Sequence, residues 1–219
     1  PLARFVAQNN QELPLPYKRY AIQNVFRNEK AGNARYREFT QADCDIVGNI
    51  NPAQGNAELC NLIVSTLLSC GLKKNQFVVN ISNRKIVKGL IEELSISQEK
   101  QIKVMRAIDK LDKPGFGIKG VDDLLKKGRV DSSGAVTKGA ELNNDEASQI
   151  INFLKVKDLK ELKNNLKNSI SQEGIKELED LLEILSYSDY SEQIKTNFTI
   201  VRGLDYYDGF CVETNLNFK

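Results

Sequence analysis

Arginines, an aromatic ring and carboxylates occur close together in the stretch FRNEKAGNARYREFTQADCDIVG at 26–48. Its basic residues include Arg27 and Arg35, and a guanidinium presents a planar fork of N–H donors that matches phosphate oxygens. Phe39 follows in the same stretch, and an aromatic ring beside such a fork can stack on a purine base. The residue types therefore indicate a nucleotide site, with a solvated charged hairpin as the alternative interpretation.

A second cluster, VRGLDYYDG at 201–209, places Arg202 near two adjacent tyrosines. Gly203 permits a tight change of chain direction. Tyr206 and Tyr207 would point to opposite sides of an extended chain, so one can pack while the other lines a pocket. The alternative is a hairpin with one buried tyrosine and a surface arginine.

The 219 residues include no histidine. This excludes histidine-based acid–base catalysis and the serine–histidine or cysteine–histidine nucleophile pairs within the chain. Any chemistry must use arginines, carboxylates, tyrosines or the substrate itself, and no metal-ligating set is predicted.

Two strands are predicted to carry the first cluster. Residues 18–28 and 38–48 are rich in aromatic and branched side chains, which favours an antiparallel pair joined by a polar loop. Alternation along the second strand predicts two faces. The face expected to hold the site contains Arg37, Phe39, Gln41, Asp43 and Asp45. The face expected to pack into the core contains Thr40, Ala42, Cys44 and Ile46.

The rest of the pattern predicts an α+β chain. An apolar stripe predicts a core helix at 53–70, a strand follows at 76–84, and β texture returns at 194–215. Between them, amphipathic helices are predicted at 85–94, 98–111, 121–127, 145–153 and 172–185, with a loop at 126–139.

Charge separates the helical block from its flanks. Residues 85–192 hold 18 basic and 20 acidic side chains, whereas the remainder holds 13 and 9. We therefore predict a first domain segment at 1–84, a helical insertion at 85–192 and a continuation of the first domain at 193–219.

The composition narrows the classes of protein that the chain can represent. The net charge of +2 argues against a generally basic nucleic-acid coat, so any polyanion contact must be local. No apolar run approaches ~20 residues, so no membrane span is predicted. The four cysteines, with no CxxC spacing, predict reduced, buried thiols in a cytoplasmic protein.

The segments FRNE, RYREFTQADCDI and VRGLDYYDG together resemble the histidyl-tRNA synthetases, which are class II aminoacyl-tRNA synthetases. The first two are similar to the second signature motif of that class, and the third is similar to the histidine-specific peptide of the family. The resemblance covers about half of the chain. It implies part of a class II antiparallel sheet with flanking helices, plus a helical insertion domain.

At the nucleotide end, the resemblance implies ATP accompanied by Mg²⁺. Arg27 would grip the α-phosphate, Glu29 and Arg35 would contact the adenine end and the outer phosphates, and Phe39 would stack on adenine. Arg202 would lie across the reaction centre and, with Arg27, would carry catalysis.

At the amino-acid end, the resemblance implies histidine as the substrate. Gln41 and Asp45 would bind its α-amino group, Tyr207 would bond the imidazole ring, and Tyr206 would shape the pocket. Asp45 stands where many bacterial members have glutamate, and Asp208 stands where threonine or asparagine is common. The implied partners are tRNA(His) and a second copy of the chain in a homodimer.

Other family segments are missing from these 219 residues: the first motif, an upstream histidine-binding segment, the third motif and the anticodon-binding domain. We therefore expect a part of a longer enzyme that is inactive or weakly active alone. The helical insertion is expected to touch tRNA through local cations such as Lys126, Lys127 and Arg129, with a solvated turn as the alternative.

A different function is also consistent with the resemblance. Synthetase-like paralogues regulate histidine biosynthesis or sense uncharged tRNA without charging it. Because such regulators tend to lose the catalytic arginine or the tyrosine pair, the presence of Arg27, Phe39, Arg202 and Tyr207 favours the enzyme.

Overall fold

The computed structural model describes residues 1–28, 30–32, 35–130, 134, 136–201 and 207–218. Helices and strands are mixed along the chain, which confirms the α+β class. The α-helices of the described part are α1 Leu2–Asn9, α2 Pro52–Ser69, α3 Arg84–Glu93, α4 Gln98–Ile108, α5 Gly117–Leu125, α6 Asn144–Lys155, α7 Leu159–Asn165 and α8 Ser169–Leu185. The strands are β1 Tyr17–Phe26, β2 Glu38–Val47, β3 Phe77–Asn83, β4 Gly128–Val130, β5 Val136–Lys138, β6 Ile194–Thr196 and β7 Phe210–Leu216.

The chain divides into two compact units, Pro1–Gly55 and Asn56–Lys219, and the boundary falls within α2. This division concerns compactness alone, and the predicted boundaries after residues 84 and 192 stay a prediction. None of the helices in the described residues has the length and apolarity that a membrane span requires.

The first unit contains α1 and the hairpin of β1 and β2. The two strands pair antiparallel, with Tyr17 opposite Val47 at one end and Phe26 opposite Glu38 at the other. Both predicted strands are therefore confirmed to within two residues. At the turn, the backbone N–H groups of Gly32 and Arg35 each donate to the other residue's carbonyl oxygen, both at 3.1 Å.

The predicted burial of the hairpin faces is wrong. Thr40, Ala42 and Cys44, expected in the core, are exposed, and Ile46 is half-buried. The polar face is the more covered one because α1 lies beside it, with the Phe5 and Tyr17 ring centroids 6.1 Å apart. Charged side chains of that face also shield one another through ion pairs.

The second unit is built around β3. This strand pairs in parallel with β6 and antiparallel with β7, so it is the central strand of a three-stranded sheet. Six of its seven residues are buried, as expected for a strand covered on both faces. Helices α3 and α8 pack against each other, and α8 also contacts β3.

The predicted helices of the second unit are confirmed to within four residues at each end. Helix α7, which Asp158 caps by accepting from the Lys160 N–H at 2.9 Å, was not predicted, and neither was α1. The predicted loop at 126–139 is wrong in part, because it contains the β4–β5 hairpin. There, Gly128 has a φ of +99°, and a Cβ added to it would lie 2.1 Å from the Thr137 oxygen. Only glycine at position 128 allows β4 and β5 to approach this closely. The polar composition of the segment gave no sign of this strand pair.

The four cysteines are free thiols, but only half of them are buried. Cys60 and Cys211 are buried, whereas Cys44 and Cys70 are exposed, which corrects the prediction of uniformly buried thiols. Burial raises the pKa of Cys60 to about 12. Burial likewise raises the pKa of Cys211 to about 11, although the nearby Arg84 charge lowers it.

These differences predict selective alkylation. A short iodoacetamide pulse at pH 8 should label Cys44 and Cys70 and leave Cys60 and Cys211 largely unmodified, because a raised pKa reduces the reactive thiolate fraction at that pH. Mass spectrometry of peptides gives the labelling at each site, and all four should react after unfolding in guanidinium. Prompt labelling of Cys60 in the folded protein would contradict its buried position.

A second prediction concerns the crossing of α3 and α8. A Cβ added to Gly89 would lie 2.2 Å from Ser171 Oγ and 2.5 Å from the Ser171 backbone nitrogen. Gly89→Ala must therefore displace backbone, and we expect it to lower the free energy of unfolding by ~1–3 kcal/mol. Urea denaturation measures this.

Gly55→Ala in α2 is the matched control, since its Cβ would meet only the end of the Ile50 side chain, at 3.3 Å. We expect this variant to keep or slightly gain stability, because alanine is the better helix former. Equal losses in both variants would show that the close helix crossing does not cause the effect.

Candidate functional site

The hairpin positions most of the predicted site residues on one face. The antiparallel register sets Phe39 opposite Val25, Gln41 opposite Gln23, and Asp45 opposite Arg19. Because side chains alternate between faces along a strand, residues 39, 41, 43 and 45 share a face with their partners on β1. The face therefore runs from an aromatic end near the turn to an acidic end.

At the aromatic end, the structure brings together three predicted residues. The Arg27 Cζ atom lies 5.1 Å from the centroid of the Phe39 ring. Arg27 Nη2 also donates a hydrogen bond to Gln41 Oε1, at 2.9 Å. The ring and the amide thus fix the position of the Arg27 guanidinium, a group whose planar fork suits phosphate oxygens.

At the acidic end, Arg19 lies between two carboxylates. Its Nη2 atom is 2.6 Å from Asp43 Oδ2, to which it donates a hydrogen bond, and 2.6 Å from Asp45 Oδ2. The Asp45 contact is an ion pair outside hydrogen-bond geometry, since Asp45 Oδ2 has no hydrogen-bond partner in the described structure. The residue predicted to bind an α-amino group is therefore already held by a cation.

A cleft of about 490 Å³ opens beside this face. Helix α1 and the residue before it supply one wall, and the hairpin supplies the other. The lining residues are Pro1, Leu2, Phe5, Tyr17, Arg19, Gln23, Val25, Gln41 and Asp43. Part of the predicted amino-acid end, namely Gln41, thus faces a space large enough for a small ligand.

Two other predicted nucleotide contacts belong to the turn. Arg35 is exposed, and its backbone pairs with Gly32 as described above. Glu29 lies outside the described residues. The structure therefore leaves the roles predicted for these two residues untested.

The predicted histidine peptide is anchored in the second unit by Arg84. The Arg84 side chain, only 8% exposed, donates through Nη1 to the Tyr207 carbonyl oxygen and through Nη2 to Met105 Sδ, at 3.5 Å. Its backbone N–H donates to the Gly209 carbonyl oxygen at 2.8 Å. Tyr207 is 47% exposed, whereas Arg202 and Tyr206 lie outside the described residues.

A polar cluster fixes the start of the helix that carries Arg84. The Asn83 side chain accepts from the Lys85 backbone N–H at 3.0 Å and donates to Glu177 of α8. Hydrogen bonds from Lys85 to Glu173 and to Glu177 raise the pKa of the Lys85 ammonium group. The β3–α3 junction is therefore tied to α8 by charge-assisted hydrogen bonds.

Arg19 and Arg84 are the residues that sequence reasoning missed. Arg19 could have been found by pairing the two predicted strands residue by residue, because it stands opposite Asp45 in the observed register. Arg84 contacts a residue 123 positions away, and no local pattern signals such a contact.

Comparison with known proteins agrees with this architecture. The crystal structure of histidyl-tRNA synthetase from Nostoc sp. PCC 7120 superimposes with a TM-score of 0.78 at 28% identity, covering 99% of this chain and 48% of that one. A structure described as an ATP phosphoribosyltransferase regulatory subunit/histidyl-tRNA synthetase from Bacillus halodurans C has a TM-score of 0.76 at 21% identity, which shows the fold alone. The fold is thus that of the aminoacyl-tRNA synthetase domains.

The family follows from the sequence comparisons. A family model described as Histidyl-tRNA synthetase matches residues 1–215, and the chain belongs to that family. Histidine–tRNA ligase of Pelagibacter ubique (strain HTCC1062) is 83% identical over all 219 residues, which are 47% of its length. The ligase of Bartonella bacilliformis is 42% identical over the whole chain and 46% of its own length. The chain therefore spans about half the length of the curated relatives it matches.

Proposed function

We propose that the chain contributes the site that activates histidine with ATP in a histidine–tRNA ligase. The products of this step are histidyl-adenylate and pyrophosphate, and the histidyl group then passes to tRNA(His). The intact enzyme is proposed to act as a homodimer in the cytoplasm. The observation that supports this function is the arrangement of Arg27, Phe39 and Gln41 on the hairpin face that also carries Asp45.

The proposed reaction requires no histidine in the protein. A carboxylate oxygen of the substrate attacks the α-phosphorus of ATP, and the bond to pyrophosphate breaks. Negative charge builds on the α-phosphate oxygens, where Arg27 and Arg202 would stabilise it. Catalysis then consists of positioning and electrostatic stabilisation. Mg²⁺ would enter with ATP, since proteins commonly bind this ion through substrate phosphates, water and one or two carboxylates.

Substrate recognition is proposed to use both ends of the histidine molecule. Asp45 and Gln41 would receive the α-ammonium group, because a carboxylate and an amide oxygen are both acceptors. Gln41 Oε1 already accepts from Arg27, but an amide oxygen has two lone pairs and can accept again. Tyr207 would bond the imidazole ring, with Tyr206 shaping the pocket.

The helical block, residues 85–192, is proposed to contact tRNA, but the structure supports this role less than it supports the ATP site. Lys126 Nζ forms an ion pair with Asp122 at 3.0 Å. Arg129 lies with its Cζ 4.4 Å from the Phe116 ring centroid and donates to the Gly115 carbonyl oxygen at 3.0 Å. Two of the three predicted cations thus have structural partners, and the contact with tRNA would depend more on Lys127.

The function is tested with a chimera in which residues 1–219 replace the matching stretch of the Pelagibacter ubique ligase. We expect the chimera to show histidine-dependent exchange between pyrophosphate and ATP, and the isolated 219-residue chain to show little or none. A folded chimera without exchange, beside an active parent enzyme, would overturn the proposal and favour a regulatory role.

Stacking of adenine on Phe39 gives the first prediction from this function. Since Arg27 covers one face of the ring, the base would stack on the other. In the chimera, Phe39→Ala should weaken ATP binding by ~1–3 kcal/mol, the usual range for stacking of a base on an aromatic side chain. Equilibrium binding of ATP measures the change.

Phe26→Ala is the matched control for this variant. Phe26 belongs to the same hairpin but to the opposite face, and it is 75% exposed. Its removal should leave ATP affinity unchanged. If Phe39→Ala also leaves ATP affinity unchanged, the ring does not stack on the nucleotide.

Arg202 gives the second prediction. A guanidinium aimed at the α-phosphate would stabilise the transition state more than the ground state. Removing one such preorganised donor typically lowers the rate by ~10²–10³. In the chimera, Arg202→Ala should therefore slow histidyl-adenylate formation at least ~100-fold, with a much smaller change in histidine affinity. Rapid quench of single-turnover reactions measures the rate.

The variant Arg202→Lys tests whether the positive charge alone or the planar shape of the guanidinium is needed. Lysine supplies a point charge without the planar fork, so it should recover only part of the rate. Loss of histidine affinity with an unchanged rate at saturation would instead make Arg202 a binding or structural residue.

A further inference from the structure

We propose that Arg84 is a positioning residue for the binding of histidine. Its buried guanidinium donates to the Tyr207 carbonyl oxygen and thereby fixes the backbone that carries the Tyr207 ring. This inference rests on the proposed function, because Tyr207 is the residue proposed to bond the imidazole ring of histidine.

The pairing of β3 with β7 does not extend to Tyr207. The register of the two strands ends at the pair of Asn83 and Phe210, and the next residue, Arg84, begins α3. Residues 207–209 therefore lie beyond the last paired position of β7. A group outside the strand ladder has to hold the Tyr207 backbone if the ring is to keep one position.

Arg84 supplies two donors to this part of the chain. Its backbone N–H donates to the Gly209 carbonyl oxygen at 2.8 Å, and its Nη1 donates to the Tyr207 carbonyl oxygen. Any residue other than proline at position 84 could form the first contact, whereas the second requires a long side chain with an N–H donor. The guanidinium therefore carries the attachment from Gly209 to Tyr207.

The guanidinium itself has a fixed position. The Arg84 side chain is buried, and its Nη2 donates to Met105 Sδ of α4 at 3.5 Å. The preceding residue, Asn83, caps α3 by accepting from the Lys85 backbone N–H at 3.0 Å. Lys85 Nζ in turn forms an ion pair with Glu173 of α8 at 2.6 Å. Contacts with α4 and α8 thus lock the donor, which can then define where the carbonyl lies.

The Tyr207 residue combines an anchored backbone with an exposed side chain. Its carbonyl oxygen accepts from a residue that is 8% exposed, whereas Tyr207 as a whole is 47% exposed. A ring that is ordered before the ligand arrives lowers the entropic cost of binding. If the backbone were in the binding position only about a tenth of the time, the apparent affinity would fall about tenfold.

The variant Arg84→Met tests this role in the chimera. Methionine is a long side chain without a strong donor, so Tyr207 loses a charged donor while the backbone contact with Gly209 stays. We expect the KM for histidine in pyrophosphate exchange to rise about tenfold or more. The kcat at saturating histidine and the KM for ATP should change less than about twofold, because bound histidine restores the position of the ring.

A double-mutant cycle shows whether Arg84 acts through Tyr207. Tyr207→Phe removes the hydroxyl group proposed to bond the imidazole ring and keeps the backbone carbonyl. Adding Arg84→Met to Tyr207→Phe should then raise the KM for histidine less than about twofold further, because the two changes remove the same interaction. A further rise of about tenfold would show that Arg84 acts independently of Tyr207, and would overturn the inference.

Control variants separate positioning from a loss of stability or of charge. Gly89→Ala disturbs the packing of α3 against Ser171, and Arg106→Met removes an exposed cation from α4. Both should leave the KM for histidine unchanged. If Arg84→Met does not fold, Arg84→Lys carries the test. Lysine keeps the charge without the planar fork, so it should raise the KM by a smaller factor, and this rise should vanish in the Tyr207→Phe background.

The outcomes that overturn the inference are distinct. An unchanged KM for histidine in Arg84→Met, or in Arg84→Lys where the first variant does not fold, would show that the contact does not place the ring. A lower kcat with an unchanged KM would make Arg84 a structural residue. An unsubstituted chimera that does not activate histidine would overturn the proposed function and this role together, whereas an active chimera insensitive to these substitutions would overturn this role alone.

Discussion

The antiparallel register of β1 and β2 is the constraint on which the candidate site depends. Strand geometry forces Asp43 and Asp45 onto one face, and the register places Arg19 opposite Asp45. A slip of one residue would turn every side chain of one strand to the other face and would separate the cation from both carboxylates. The register is therefore what brings the charges of Arg19, Asp43 and Asp45 together.

A comparable constraint organises the second unit around the end of β3. Asn83 is the last residue of that strand to pair with β7, opposite Phe210. The next residue, Arg84, begins α3 and binds the carbonyl oxygens of Tyr207 and Gly209, so the peptide before β7 is held where it joins the sheet. A buried guanidinium needs hydrogen-bond partners, and the Tyr207 carbonyl oxygen and Met105 Sδ provide them. These contacts join two segments that are 123 positions apart in the sequence, with helices α4 to α8 between them.

The sequence allowed most elements to be predicted because their periodicity reflects local physics. The structure contains the two strands β1 and β2, with alternating burial along each, and the helix α2 that the apolar stripe predicted. The burial of the hairpin faces could not be predicted this way, because alternation separates two faces without saying which one is covered. That choice depends on α1 and on ion pairs such as Arg19 with Asp43, which are contacts between distant residues. The roles of Arg27 and Phe39 rest on the resemblance, while their proximity is a result of the structure.

The spacing of side chains along β2 limits which of them can contact the same group of a bound substrate. Gln41 and Asp45 are four residues apart, so their Cα atoms are separated by about 13–14 Å. The short aspartate side chain spans little of that distance, and Asp43 lies between the two and borders the cleft. Under the proposed function, Gln41 and Asp45 would therefore contact the amino-acid substrate at separate points along this face, with Asp43 between them. Arg19 pairs with both carboxylates, so their charge is partly compensated where Arg19 and Asp43 border the cleft.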